Sequence, residues 1–104
     1  MKEADFEAQA SAALQAIEQA LEQSDLDFEL KAGGVLEIEF DDGSKIIINR
    51  HGAAREIWVA ARAGGFHFRW DGAAWRDTRS GAGLFDTLSE LVSGQLGRRI
   101  RLGG

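Results

Sequence analysis

The sequence predicts an α+β domain in which an N-terminal and a C-terminal helix pack on one face of an antiparallel sheet of five to six strands. Three observations predict it. Apolar residues recur at helical spacing near both ends of the chain, and they alternate with polar residues at period two in between. Short turns rich in glycine and aspartate separate the alternating runs, which joins the strands as a meander. Each helix carries one apolar stripe that must be buried, and one sheet face is the surface available. The other sheet face then meets solvent.

The first helix is predicted from about Glu3 to Gln23, where Phe6, Ala10, Leu14, Ile17 and Leu21 form the stripe. The alanines and glutamines between them favour the helix, and Ser24 and Asp25 end the pattern. Strands follow at Leu26–Leu30, with Leu26, Phe28 and Leu30 on one side, and at Val35–Phe40, with Leu36, Ile38 and Phe40 on one side. Ala32-Gly33-Gly34 joins these two, and Asp41-Asp42-Gly43 turns the chain into a third strand, Lys45–Arg50. A fourth strand spans Glu56–Arg62, a fifth Phe66–Trp70 after Gly64-Gly65, and a short sixth lies around Trp75. Helical period returns with Leu84, Phe85, Leu88, Leu91 and Val92 and ends near Gly94–Gly97. The tail Arg98–Leu102 alternates arginine with Ile100 and Leu102.

At 104 residues there is room for one domain, residues 1–104, with no proline and nothing that reads as a linker. The absence of cysteine excludes disulfides, thiolate zinc sites, cysteine-held iron–sulfur clusters and a cysteine nucleophile. It also favours a reducing, intracellular setting. No apolar run is long enough to span a bilayer, and the acidic start has no signal-peptide core. The expectation is a soluble, cytoplasmic protein with no membrane partner.

The net charge of −5 conceals a division of the chain. Residues 1–42 hold twelve acids against Lys2 and Lys31, a net of −10, and residues 43–104 carry a net of +5. Such a split predicts distinct charged surfaces and electrostatic steering of partners.

If the first helix lies along the edge of the sheet at the first strand, the acids form one ridge there. Glu7, Glu18 and Glu22 share a flank of the first helix, and Glu18 and Glu22, four apart, are neighbours that repel. Asp25 follows at the helix end, where the dipole disfavours an acid. Asp27 and Glu29 point outward from the first strand on the same face. Like charges ~7 Å apart in water repel by about 0.6 kcal/mol per pair, and a cation relieves the repulsion of a row of them. Carboxylates are hard oxygen ligands suited to Mg²⁺, Ca²⁺, Mn²⁺ and iron. The ridge contains no histidine and no EF-hand spacing, so metal binding there is expected to be exposed, weak and poorly selective. The plainer reading is that a charged helix flank is a solvated face.

On the fourth strand, either Ile57 and Val59 or Trp58 face the helices, and period alone leaves both open. If Trp58 points outward, it shares the helix-free face with Asn49 and is an aromatic anchor for a protein partner. Phe66, Phe68 and Trp70 read as core, opposite in parity to His67 and Arg69. His51 and His67 lie far apart in sequence and read as surface residues. Ser80-Gly81-Ala82-Gly83 lacks the lysine of a phosphate-binding loop. The interleaved aromatics and arginines of Arg62–Trp70 would suit RNA, but the acidic balance of the chain argues against nucleic acid.

Asp42-Gly43-Ser44-Lys45-Ile46-Ile47-Ile48-Asn49-Arg50, Glu56-Ile57-Trp58-Val59-Ala60, Gly64-Gly65-Phe66-His67-Phe68, Trp75 and Arg79-Ser80-Gly81 resemble, in order and spacing, the bacterial frataxin family. The resemblance runs from the first helix to the last. It implies two helices on one face of an antiparallel sheet. It also implies a protein that is not an enzyme but an iron-binding regulator of iron–sulfur cluster assembly, which docks on the cysteine desulfurase, with the scaffold protein as a further expected partner. The family's acidic ridge falls here on Glu18, Glu22, Asp25, Asp27 and Glu29, holding Fe²⁺ or Fe³⁺ weakly. Glu18, Glu22, Asp25 and Asp27, with Asn49 and Trp58 on the sheet, are the partner contacts it implies. A monomer is expected without metal. The chain has Gln19, Ala20, Gln23 and Ser24 where relatives often carry more acids, which implies a smaller iron capacity. The loop His51–Arg55 lacks the proline frequent there. Ferroxidase or iron-storage activity on the same ridge, and a metal-free interaction module, are the alternatives.

Overall fold

The computed structural model describes residues 1–103. Its elements run α1 (Glu3–Gln23), β1 (Phe28–Lys31), β2 (Val35–Glu39), β3 (Lys45–His51), β4 (Glu56–Ala61), β5 (Gly64–Trp70), β6 (Trp75–Asp77) and α2 (Leu84–Leu96). The six strands form one antiparallel sheet in chain order, β1 to β6. The predicted fold class and the first helix are as expected, and β1 begins two residues later than the alternation placed it.

The core lies between the sheet and the helices. Phe6, Ile17 and Leu21 of α1 and Leu84, Leu88 and Val92 of α2 are buried with Leu36, Ile38, Ile46, Ile48, Ile57, Val59 and Phe68. This fixes the register left open by the sequence: even-numbered isoleucines of β3 and odd-numbered residues of β4 face the helices, so Trp58 and Asn49 face away. Truncating a fully buried phenylalanine such as Phe6 or Phe68 costs about 3–5 kcal/mol. Trp75, near which the sixth strand was expected, is core and meets the edge of Phe6 with ring centroids 6.0 Å apart.

One expected core residue is not core. Leu30 shares the inward parity of Phe28 but is 56% exposed, although its partner Leu36 is fully buried. β1 is the edge strand, with a neighbouring strand on one side only.

Helix α1 ends in a tight reversal. Asp25 takes a left-handed backbone (φ 55°), its N–H donates to the carbonyl of Glu22, and the N–H of Leu26 donates to Leu21. This is the Schellman pattern, which usually places glycine where Asp25 stands. Helix α2 is held to the tail by two serines one turn apart. Ser89 Oγ accepts the N–H of Leu102, and Ser93 Oγ accepts the N–H of Ile100. No helix among the described residues is long and apolar enough to cross a membrane.

Candidate functional site

The acidic residues predicted as a ridge occupy the end of α1 and the edge strand beside it. Glu18 is half-buried one turn before Glu22, and Glu22, Asp25, Asp27 and Glu29 are exposed. Among the described residues, none of the five is held in an ion pair. The ion pairs fall elsewhere: Glu7 pairs with Arg50 (3.1 Å), Glu37 with Lys31 (2.9 Å) and Lys45 (3.1 Å), Glu56 with Arg69 (2.8 Å), and Asp86 with Arg101 (2.6 Å). Asp42 pairs with Arg62 and Asp71 with Arg76. Among the described residues, no ion pair includes Glu18, Glu22, Asp25, Asp27 or Glu29. The pairing with Arg50 takes Glu7 out of the uncompensated flank on which the sequence placed it.

The strip continues past the predicted residues. Asp25 and Asp27 line a polar hollow of about 420 Å³ together with Glu39, Asp41, Asp42 and Arg98. Glu39 belongs there because its N–H donates to the carbonyl of Asp27 (2.9 Å), which extends the β1–β2 ladder by one pair. Sequence reasoning placed Asp41 and Asp42 only in a hairpin turn. Pairing the two predicted strands in antiparallel register would have brought that turn beside Asp27. Asp42 is held ionised, its carboxyl lowered to about 2 by the Ser44 hydroxyl, then by the Ser44 amide and the Arg62 guanidinium. Lys31 and then Lys45 lower the Glu37 carboxyl by hydrogen bonding, which neutralises the one buried acid of β2.

The donor set fits a hard cation by chemistry, since carboxylate oxygens suit iron, magnesium and calcium. Among the described residues, no three histidine, aspartate or glutamate side chains are gathered closely enough to hold a metal ion. The ridge therefore offers open carboxylates among the described residues, without a closed cage.

The helix-free sheet face, toward which Asp27 and Glu29 also point, carries the second predicted group. Asn49 pairs across the ladder with Trp58, and Trp58 with His67. Trp58 is not a free anchor. His51 stacks on one face of its indole (centroids 3.8 Å, 15° between planes) and His67 on the other (4.5 Å, 12°). Its Nε1–H donates to Glu56 (2.8 Å), which also accepts from Arg69. The histidines read from sequence as isolated surface residues thus bracket the tryptophan. His51 also accepts the Ala54 N–H through Nδ1 (3.2 Å), which ties it into the loop before β4.

The sequence and the fold match known proteins. The model of the frataxin-like domain matches residues 1–98. The chain belongs to the frataxin family. A frataxin-family relative in Dechloromonas aromatica (strain RCB), an iron-sulfur cluster assembly protein CyaY, is 64% identical over 104 residues, covering 98% of this chain and 99% of its own. The CyaY proteins of Cupriavidus metallidurans and Paraburkholderia xenovorans are 49% and 48% identical, each alignment covering at least 96% of both chains. The solved frataxin of Psychromonas ingrahamii superposes with a TM-score of 0.89 at 28% identity, covering all of both chains.

Proposed function

We propose that this frataxin-family chain acts in iron–sulfur cluster assembly, as its CyaY relatives are named to do. It is an assembly-family protein rather than an enzyme. Its ridge of Glu18, Glu22, Asp25, Asp27 and Glu29 binds Fe²⁺ or Fe³⁺ weakly as cargo and docks on a basic surface of the cysteine desulfurase, whose output it regulates. Asn49 and the edge of Trp58 offer a second contact, to the desulfurase or to the scaffold protein. The metal-free protein is a monomer in the cytoplasm.

The observation that supports this reading is that five acids gathered at the end of α1 and on β1 are all without an ion pair among the described residues. The basic half of the chain pairs with Glu7, Glu37, Asp42, Glu56, Asp71 and Asp86, and the ridge is left open. An uncompensated strip is free to attract an external cation or cationic surface, and its field steers association.

The test is the triple variant Asp25→Lys, Asp27→Lys, Glu29→Lys titrated against the desulfurase by calorimetry. Binding should vanish, and binding of the unaltered protein should weaken as salt is raised. Undiminished binding of the triple variant would remove the ridge from the interface. A parallel NMR titration with Fe²⁺ should move the amides of the α1 end and β1 before any others.

A further inference from the structure

The sheet has two edges, and they are finished differently. At β6 the chain covers its own edge: Arg76 bridges to Gly83, and the Asp77 N–H donates to the carbonyl of Ala82 (2.8 Å). At β1 nothing among the described strands pairs on the outer side. The bond from Glu39 to Asp27 identifies which main-chain groups are free there. In an antiparallel ladder, residues that exchange hydrogen bonds with the neighbour alternate with residues whose N–H and C=O point away from it. Asp27 bonds to β2, so Glu29 and Lys31 do too, and Phe28 and Leu30 direct their N–H and C=O groups outward. The edge therefore offers two donors and two acceptors in strand geometry, beside the exposed side chain of Leu30.

An open edge is a template for another strand, and natural proteins usually block it. This one is guarded by charge. Asp25, Asp27 and Glu29 line it without cationic partners, and Lys31, at its end, is engaged with Glu37. A second copy of the chain would bring the same acids alongside and be repelled. A strand bearing lysine or arginine on one side and apolar residues on the other would match both the carboxylates and Leu30.

We infer that β1 is a strand-acceptor edge that takes a basic, extended segment of a protein partner as a seventh strand. This deepens the ridge reading and rests on it: the carboxylates select the segment by charge, and the main chain of Phe28 and Leu30 fixes its direction and register.

The test uses the intact protein and a short peptide alternating lysine and valine. Hydrogen exchange at the amides of Phe28 and Leu30 should slow on binding. N-methylating the peptide amides that face the edge should weaken binding about tenfold, as expected for lost main-chain hydrogen bonds. Replacing lysine by glutamate should abolish binding. In the protein, Leu30→Pro removes an outward N–H that an edge strand does not need for its own fold. It should weaken desulfurase binding about tenfold beyond the effect of Leu30→Ala. If Leu30→Pro melts at a lower temperature than Leu30→Ala, the N-methylated peptide, used with the unaltered protein, decides. Equal binding of the methylated and parent peptides would overturn the strand inference and leave charge docking intact, as would binding of the desulfurase but of no peptide. Loss of desulfurase binding to the unaltered protein would instead sink the ridge reading, and the peptide arms would still judge the edge.

Discussion

The imidazole of His51 lies flat on the indole of Trp58, centroids 3.8 Å apart, and it joins a loop to the middle of the sheet. Stacked aromatic pairs contribute about 0.5–1.5 kcal/mol beyond the area they bury. His51→Ala should lower unfolding free energy by about that amount, and by somewhat more through loss of the bond from Ala54. His67→Ala should cost a similar amount. With Trp70 and Trp75 replaced by phenylalanine, the remaining Trp58 emission should become more accessible to acrylamide in each variant. Unchanged quenching would mean the rings do not shield the indole in solution.

Asp25 occupies a backbone conformation that glycine adopts without strain, at a helix end whose dipole disfavours its charge. Asp25→Gly should stabilise the fold by about 1 kcal/mol in urea unfolding. The same change should weaken desulfurase binding. A destabilised variant would show that the carboxylate makes a compensating contact.

Removing ridge charge should also stabilise the protein. Asp27→Asn with Glu29→Gln should raise the thermal midpoint at low ionic strength by a modest amount, under about 1 kcal/mol, because these groups are exposed. The gain should shrink as salt rises, since screening already reduces the repulsion. A gain independent of salt would point away from electrostatics.

The Asp42 carboxyl is lowered from 3.8 to about 2 in the folded chain. A depressed acid stabilises the folded state fully above its unfolded value and loses that contribution as pH falls through its folded value. The Asp42 contribution should therefore fade between ~3.8 and about 2. Carbon-detected NMR titration of Asp42 should show the low midpoint, and Ser44→Ala should move it upward. A midpoint unmoved by Ser44→Ala would assign the shift to the Ser44 amide and Arg62, both of which that change leaves in place.

Period and turn chemistry were enough to find α1, the strand sequence and the core side of β5, because each depends on neighbours along the chain. Parity in β4 was not fixed by sequence, since Ile57, Trp58 and Val59 are all apolar; it took the burial of Ile46 and Ile48 across the ladder to set it. Leu30 was misread because alternation reports a strand face and not whether the strand lies at a sheet edge. The ridge was legible as a run of acids, and the family resemblance sharpened it. The openness of the ridge was not legible: it depends on cationic side chains such as Arg50 and Arg69 finding Glu7 and Glu56 elsewhere in space. His51 and His67 reach Trp58 only through the pairing of three strands.

Strand order equal to chain order has a kinetic consequence. Each hairpin can close on the one before it through a short connection, so zipping the meander demands little loop-closure entropy. The slow event is then the arrival of α1, whose Phe6 must find Trp75 at the far end of the chain. With α1 undocked the apolar side of the sheet would stand bare, the kind of surface through which incompletely packed chains self-associate.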